Sequence, residues 1–207
     1  MHMPRVSDMK ERLMAAAMDL MWQNSYSAAS VDAICERAGA KKGSFYHFFK
    51  SKSELAAAAL EADWKKKQSE MDSMFSPTVL PLERFDRYFD FVYDRLTELQ
   101  KKCGSILGCP FVSVGSEVST QDQIVREAID RIMDRKLQFF VSAVRDAAAQ
   151  GLVDAPDPVA KAKALFACYQ GTVAQARIQN DLELLRQFKH VARDVLGVKR
   201  DQIAVVS

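Results

Sequence analysis

The sequence predicts an all-α protein, and three observations lead there. Only 8 Gly and 6 Pro occur in 207 residues, while Ala, Leu, Lys, Glu, Arg and Gln, which lose little on entering a helix, are abundant. Apolar residues return at helical spacing through most of the chain. Ser, Asp and Gly stand where such segments begin and end, as capping requires. Apolar residues at 48% and charged residues at 27% are ordinary for a chain that buries a sizeable core.

Met9, Leu13, Ala17, Leu20 and Met21 fall on one face, predicting an amphipathic helix over about 7–23. Asn24-Ser25-Tyr26-Ser27 breaks it. Ser30 stands at an N-cap position, and Val31, Ile34, Cys35 and Ala38 follow at i, i+3, i+4 and i+7. A second, short helix over about 31–38 results, ended by Gly39, which tolerates positive φ. After a tight turn a third helix covers about 42–48. Two short helices around a Gly-containing turn are the helix-turn-helix pattern. Ser51 or Ser53 caps the long, alanine-rich helix that follows, and Ser76-Pro77 through Leu80-Pro81 reads as a linker. The domain boundary is placed at 65/66, giving a domain over 1–65 and a larger one over 66–207.

The remainder is again helical. Phe85, Tyr88, Phe89, Val92 and Leu96 form a stripe on a helix from Pro81. CGSILGCPFVSVGSEVST is less regular, and a long amphipathic helix then runs to Gly151. Asp157-Pro158 supplies a cap and a first-turn proline for a helix over about 158–180. The last helix covers about 182–196 and ends at Gly197.

Several classes are disfavoured. No apolar run approaches the roughly 18 residues that span a bilayer, and the amino terminus lacks the apolar region of a signal peptide. A cytoplasmic protein without membrane contact is expected. The four cysteines form no CxxC pair and the three histidines, at 2, 47 and 190, are scattered. Neither a zinc site nor a disulfide framework is expected, and no metal or cofactor. No histidine of the larger domain has a carboxylate or nucleophile near it in sequence, so the chain reads as no enzyme.

Charge is concentrated in one place. Residues 1–39 carry net −1, whereas 40–52 (AKKGSFYHFFKSK) hold four lysines, four Phe and Tyr rings and no acid. In a helix-turn-helix the second helix enters the major groove while flanking groups hold phosphates. Lys41 and Lys42 stand at the start of that helix, where long cations reach phosphate or guanine acceptors. Gly43 lets the backbone approach a base, and Ser44, Tyr46 and His47 are donors suited to phosphate oxygens. Lys52, with the free N–H groups of the next helix, offers a second anion site. Phe45 and Phe49, at i and i+4, hold the helix against the first two. Each residue alone is more often a solvated or core position; the conjunction favours double-stranded DNA over an acidic protein or RNA.

Lys42-Gly43-Ser44, Tyr46, Phe49 and Ser51-Lys52, after a capped helix and Gly39, resemble the DNA-binding domain of the TetR family of bacterial transcriptional regulators over roughly the first 65 residues. Phe48 departs from that pattern, which often has a polar ring there. The resemblance implies phosphate contacts by Ser30, Tyr46, His47 and Lys52, with Lys41, Lys42 and Gly43 near the bases. It also implies a carboxy-terminal ligand-binding and dimerisation domain, and hence a homodimeric regulator, a repressor, released from a palindromic operator by a small-molecule inducer.

Dimerisation has independent support, since one helix-turn-helix covers too few base pairs to be specific. The stripes Ala162, Phe166, Tyr169 and Val173, and Leu182, Leu185, Phe188 and Ala192, are expected to meet their twofold copies. Pocket candidates are Phe85, Tyr88, Phe89, Cys109, Phe111, Glu117, Tyr169 and Arg177, with Tyr93 and Phe140, although aromatic stripes are more often core. Arg177 pairs with Glu117 or holds an anionic ligand. Cys103 and Cys109 flank GSILG near Lys101-Lys102, and nearby lysines activate a thiol. A buried, inert Cys109 stands beside the alternative of a redox or electrophile sensor.

Overall fold

The computed structural model describes residues 6–199, with side chains from residue 8; His2 lies outside the described residues. Among them nine α-helices follow in order: α1 Val6–Gln23, α2 Val31–Ala38, α3 Lys42–Phe48, α4 Lys52–Met74, α5 Pro81–Cys103, α6 Pro110–Val118, α7 Gln123–Ala149, α8 Pro158–Gln179 and α9 Glu183–Leu196. None is long and apolar enough to cross a membrane.

The capping signals act as expected. Ser30 Oγ accepts from the N–H of Ala33 at 3.1 Å, and Gly39, at φ 61°, closes α2 with its own N–H on carbonyls of the last turn. Ser51, not Ser53, caps α4, accepting from the N–H of Glu54 at 3.1 Å, while the Glu54 carboxylate accepts from the N–H of Lys50 at 2.8 Å. Asp157 accepts from Val159 and Ala160 at the start of α8. Each such cap is worth about 1 kcal/mol.

Helix α6 lies inside the segment expected to be irregular. Pro110 starts it at a position that tolerates a missing N–H, and Phe111, Val114 and Val118 form its buried face at i, i+3 and i+7. Gly115, low in helix propensity, obscured that spacing.

The helices gather into two compact units. The first takes the residues up to Lys67 with Pro110–Met133, and the second takes Gln68–Cys109 with the residues from Asp134 onward. The boundary expected at 65/66 would have left α6 and the start of α7 outside the first unit. In the first unit, α1, α2 and α3 pack pairwise, and α6 packs on α1. Leu13, Ala17, Ile34, Phe45, Leu55 and Leu60 are buried there, with Val114, Val125 and Ile132 from α6 and α7.

The second unit is built on aromatic rings. Phe140 lies with its centroid 5.5 Å from Tyr88 and 5.1 Å from Phe166, while Phe89 meets Phe188 edge-on at 4.9 Å. Such pairs each add about 0.5–1.5 kcal/mol to simple burial. Arg193 to Asp86 at 2.9 Å and Lys189 to Asp90 at 2.5 Å tie α9 to α5. Arg84 is wholly buried, its Nε donating to the Val79 carbonyl at 2.9 Å, Nη2 to Pro77 at 3.3 Å and Nη1 to Asp146 at 2.5 Å. One guanidinium thus holds the linker before α5 against α7.

The stripes expected to meet a twofold copy are turned inward instead. Ala162, Phe166, Tyr169, Val173, Leu185, Phe188 and Ala192 are all buried within a single chain, and Leu182 is half-buried. Their size explains it: α8 and α9 need large apolar groups to fill the unit's own core. What α8 leaves exposed is a row of small residues, Ala160, Ala164, Ala167 and Gly171, ending at Ile178. On α9 the outward row is Leu184, Gln187, Val191 and Val195.

Arg84→Met keeps the volume but abandons two carbonyls and Asp146. Loss of a buried, hydrogen-bonded ion is expected to cost about 3 kcal/mol, read as a lower urea midpoint. Asp146 is 42% exposed, so Asp146→Asn should cost clearly less.

Candidate nucleic-acid interface

Helix α3 presents the expected face. Phe45 and Phe49 are buried and stand 6.2 Å apart, anchoring the helix. Lys41, Lys42, Gly43, Tyr46 and His47 are exposed, Ser44 is half-buried, and Ser30 is exposed at the start of α2. Tyr46 is 61% exposed although its ring leans edge-on against Phe45 at 5.0 Å. Apolar anchors inward and donors outward give a rigid helix with a polar, cationic outer surface. Phe48, the departure from the family pattern, is half-buried beside His47 at 4.8 Å.

Two residues carry particular information. Lys42 Nζ rests 2.7 Å from the Asp32 carboxylate, and that hydrogen bond raises the ammonium's pKa. In the free chain the ammonium is therefore already paired. A Cβ placed on Gly43 would meet no atom within 4 Å. The fold does not require glycine there.

Behind this face lies a cluster the sequence did not reveal. Glu117 of α6 accepts from the N–H of Tyr26 at 2.7 Å and of Ser27 at 2.8 Å. Asp122 accepts from Tyr26 Oη at 2.9 Å and Ser53 Oγ at 2.5 Å. Lys52 donates to the Tyr26 carbonyl at 2.7 Å and sits 4.1 Å from the centre of its ring. Thus Lys52, expected at an anion site, is half-buried with one donor already engaged. The free N–H groups expected beside it include that of Glu54, already bonded to Ser51.

The electrostatics of the cluster follow from its bonds. Burial opposes the charge on Glu117, but the Ser27 and Tyr26 hydrogen bonds and Lys52 outweigh it and hold the carboxyl below its ordinary value. Asp122 is likewise opposed by burial and lowered on balance by Ser53, the Val125 and Ile124 N–H groups and Tyr26. Burial pushes Lys52 down despite the two acids, and pushes the Tyr26 phenol up. The turn between α1 and α2 is thereby clamped by two ionised carboxylates from α6 and the turn after it.

The pocket candidates divide between the units. Phe111 and Glu117 belong to the first; Phe85, Tyr88, Phe89, Cys109, Tyr169 and Arg177 belong to the second. Phe85, Tyr88, Phe89, Phe111, Phe140 and Tyr169 are buried, whereas Tyr93, Cys109 and Arg177 are half-buried. Tyr88 donates to Tyr169 at 3.1 Å, and burial beside Tyr88 and Cys109 pushes the Tyr169 phenol well up. None of the four cysteines forms a disulfide: Cys103 is exposed, Cys168 half-buried, and Cys35 buried with its thiol pushed up by burial and by Asp32. Lys101, beside Cys103, is paired with Glu98 at 2.8 Å. Among the described residues no His, Cys, Asp and Glu cluster is arranged to hold a metal.

A helix-turn-helix with a cationic outer face, followed by a larger helical unit, defines a DNA-binding regulator. Residues 13–59 match the family "Bacterial regulatory proteins, tetR family", and residues 81–192 match "Tetracyclin repressor-like, C-terminal domain". The chain belongs to the TetR family of transcriptional regulators. It is 25% identical over 179 residues to the HTH-type transcriptional repressor NemR of Escherichia coli K12, covering 86% of this chain and 88% of NemR. To the HTH-type transcriptional repressor DhaR of Mycobacterium sp. GP1 it is 25% identical over 199 residues, 94% of this chain and 96% of DhaR. The crystal structure of reduced E. coli NemR superposes with a TM-score of 0.79 at 23% identity, over 93% of this chain and 99% of that one.

Gly43→Ala separates the demands of fold and DNA. The fold accepts a methyl, and Ala raises helix propensity, so stability should rise by about 0.5–1 kcal/mol. DNA affinity should fall, as measured by fluorescence anisotropy; unchanged affinity removes Gly43 from the interface.

The carboxylate clamp has a pH signature. Folded pKa values below the unfolded ones, about 4.3 for Glu and 3.9 for Asp, give stability that is present above those values. It is lost as pH falls through the lower folded values. Urea midpoints taken from pH 6 to pH 3 should fall less steeply for Glu117→Gln than for the wild type. At pH 6 the variant should be weaker by about 1 kcal/mol, after discounting for solvent.

Proposed function

We propose that the chain is a homodimeric repressor that binds a palindromic DNA operator and leaves it when a small molecule binds the larger unit. The observation that carries the first half is the exposed row Lys41, Lys42, Gly43, Tyr46 and His47 on α3, with Ser30 beside it on α2. Lys42, Ser30, Tyr46 and His47 supply charge or donors to phosphate, and Gly43 admits the backbone to the base edges. Repression follows the relatives NemR and DhaR, both named as transcriptional repressors.

Two copies are joined through the outward rows of α8 and α9. Ala160, Ala164, Ala167 and Gly171 recur at intervals of four, three and four, so two α8 helices approach closely, and the small rows bring the α9 rows of Leu184, Val191 and Val195 alongside. An exposed apolar seam of this kind gains by being covered. In this reading Glu117 is a clamp on the reading head rather than a ligand contact, because its oxygens already accept from Tyr26 and Ser27.

The deciding experiment is footprinting with the wild type and with Gly171→Glu. The wild type should protect a palindrome of fixed half-site spacing and sediment as a dimer. The variant should sediment as a monomer, fold normally, and lose roughly a hundredfold or more in operator affinity as the second half-site contact disappears. A wild type that protects no palindrome ends the regulator reading. A dimeric Gly171→Glu moves the interface elsewhere. The alternative trigger, the half-buried Cys109 beside Tyr169, is separated in the same assay: release by an electrophile that Cys109→Ser resists would assign the switch to the thiol.

A further inference from the structure

Gln170 is the feature that neither the fold nor the DNA interface accounts for. It is a polar residue in the core of the second unit, 9% exposed, and neither its Nε2 nor its Oε1 has a hydrogen-bond partner. Leaving both ends of a buried amide unsatisfied is costly, and most proteins avoid it. Both atoms lie beneath the surface of a single chain, so a group that satisfies them has to enter the unit rather than dock on its outside. On α8 Gln170 borders the row of Ala160, Ala164, Ala167 and Gly171, three residues after Ala167, but is buried where the row is exposed.

Its surroundings define what would satisfy it. On α8 it shares a flank with Phe166, Val173 and Arg177, at i−4, i+3 and i+7. Gly108 lies against that flank: a Cβ there would stand 3.3 Å from Arg177 Cδ and 3.7 Å from the Val173 carbonyl. The segment is held in place by Asn180, whose Oδ1 accepts from the N–H of Ile106 at 2.9 Å. Tyr169, the preceding residue, faces the rings of Tyr88, Phe89 and Phe140. The Tyr88–Tyr169 pair holds two hydroxyl protons and uses one between them.

We propose that Gln170 is the recognition group of the second unit for a neutral, planar ligand whose edge carries a hydrogen-bond acceptor beside a donor, the edge shared by amides and undissociated carboxylic acids. The Gln170 N–H donates to the ligand's acceptor and its carbonyl accepts the ligand's proton, so both orphan atoms are satisfied at once. Phe166, on the same flank, offers a ring on which a flat, apolar body can pack. A charged ligand is disfavoured because burial removes its hydration. This rests on the reading of the chain as a ligand-released regulator and names the class of its ligand.

The test uses the full chain with benzamide as the probe and toluene as the control lacking the polar edge. Benzamide should raise the melting temperature of the wild type with concentration and release operator DNA, with toluene weaker in both. Gln170→Leu should melt at or above the wild-type temperature, since an unsatisfied amide has gone, and should need about tenfold more benzamide or beyond for the same shift. Gln170→Met is the unbranched alternative should Leu not fit. Three results overturn the proposal: no wild-type shift with benzamide, equal shifts in wild type and variant, or both variants melting well below the wild type, which would mean the amide was already satisfied. Operator binding without ligand, measured on the same samples, reports on the regulator reading separately.

Discussion

The backbone between α1 and α2 sets the constraint on which the reading head depends. Residues 24–29 must turn the chain so that α2 and α3 pack against α1, and a turn pressed into the protein cannot leave its N–H groups unpaired. Local bonds serve Asn24, Ala28 and Ala29 but not Tyr26 and Ser27. Glu117 supplies the acceptors for Tyr26 and Ser27, Asp122 takes the Tyr26 hydroxyl, and Lys52 takes the Tyr26 carbonyl. The turn that leads into α2 and α3 is therefore held in part by residues ninety or more places later than its own Tyr26 and Ser27. Those residues belong to Pro110–Met133, which is part of the first unit.

The same principle works with opposite charge in the second unit. Arg84 gathers two linker carbonyls and Asp146 around one buried cation. A buried ion is retained cheaply only when its hydrogen bonds are filled. With the linker pinned, Phe85, Tyr88 and Phe89 are held at a fixed height on α5, and the ring cluster forms around them. Gln170 is the exception in this core. Among the described residues of the second unit, its amide is the buried side-chain group with no hydrogen-bond partner.

Helix α8 shows how one element serves two surfaces. Its large residues, Leu165, Phe166, Tyr169 and Val173, fill the core, while Ala160, Ala164, Ala167 and Gly171 face outward. The division is one of volume. Large groups fill the unit, and small ones permit close approach of another helix. On α3 the division is one of polarity: Phe45 and Phe49 inward, Lys42, Tyr46 and His47 outward.

The sequence by itself determined the helical class, the ends of α2 and α3, and the face of α3 that carries charge. These rest on local physics: periodicity, caps that bind N–H groups three residues away, and lysines with no acid nearby in the chain. The family resemblance drawn from Lys42-Gly43-Ser44 and Tyr46 was legible for the same reason. Tertiary structure alone decided the partners of Glu117, Asp122, Arg84 and Gln170, because their bonds, or the lack of them, depend on residues distant in sequence. It also decided which side of α8 is core, since a stripe of Phe166, Tyr169 and Val173 suits a dimer seam and an interior equally well in the sequence. Helix α6 fell between the two cases: Pro110, Phe111, Val114 and Val118 spelled it, and burial against α1 was needed to make nine residues with a central glycine hold a helix.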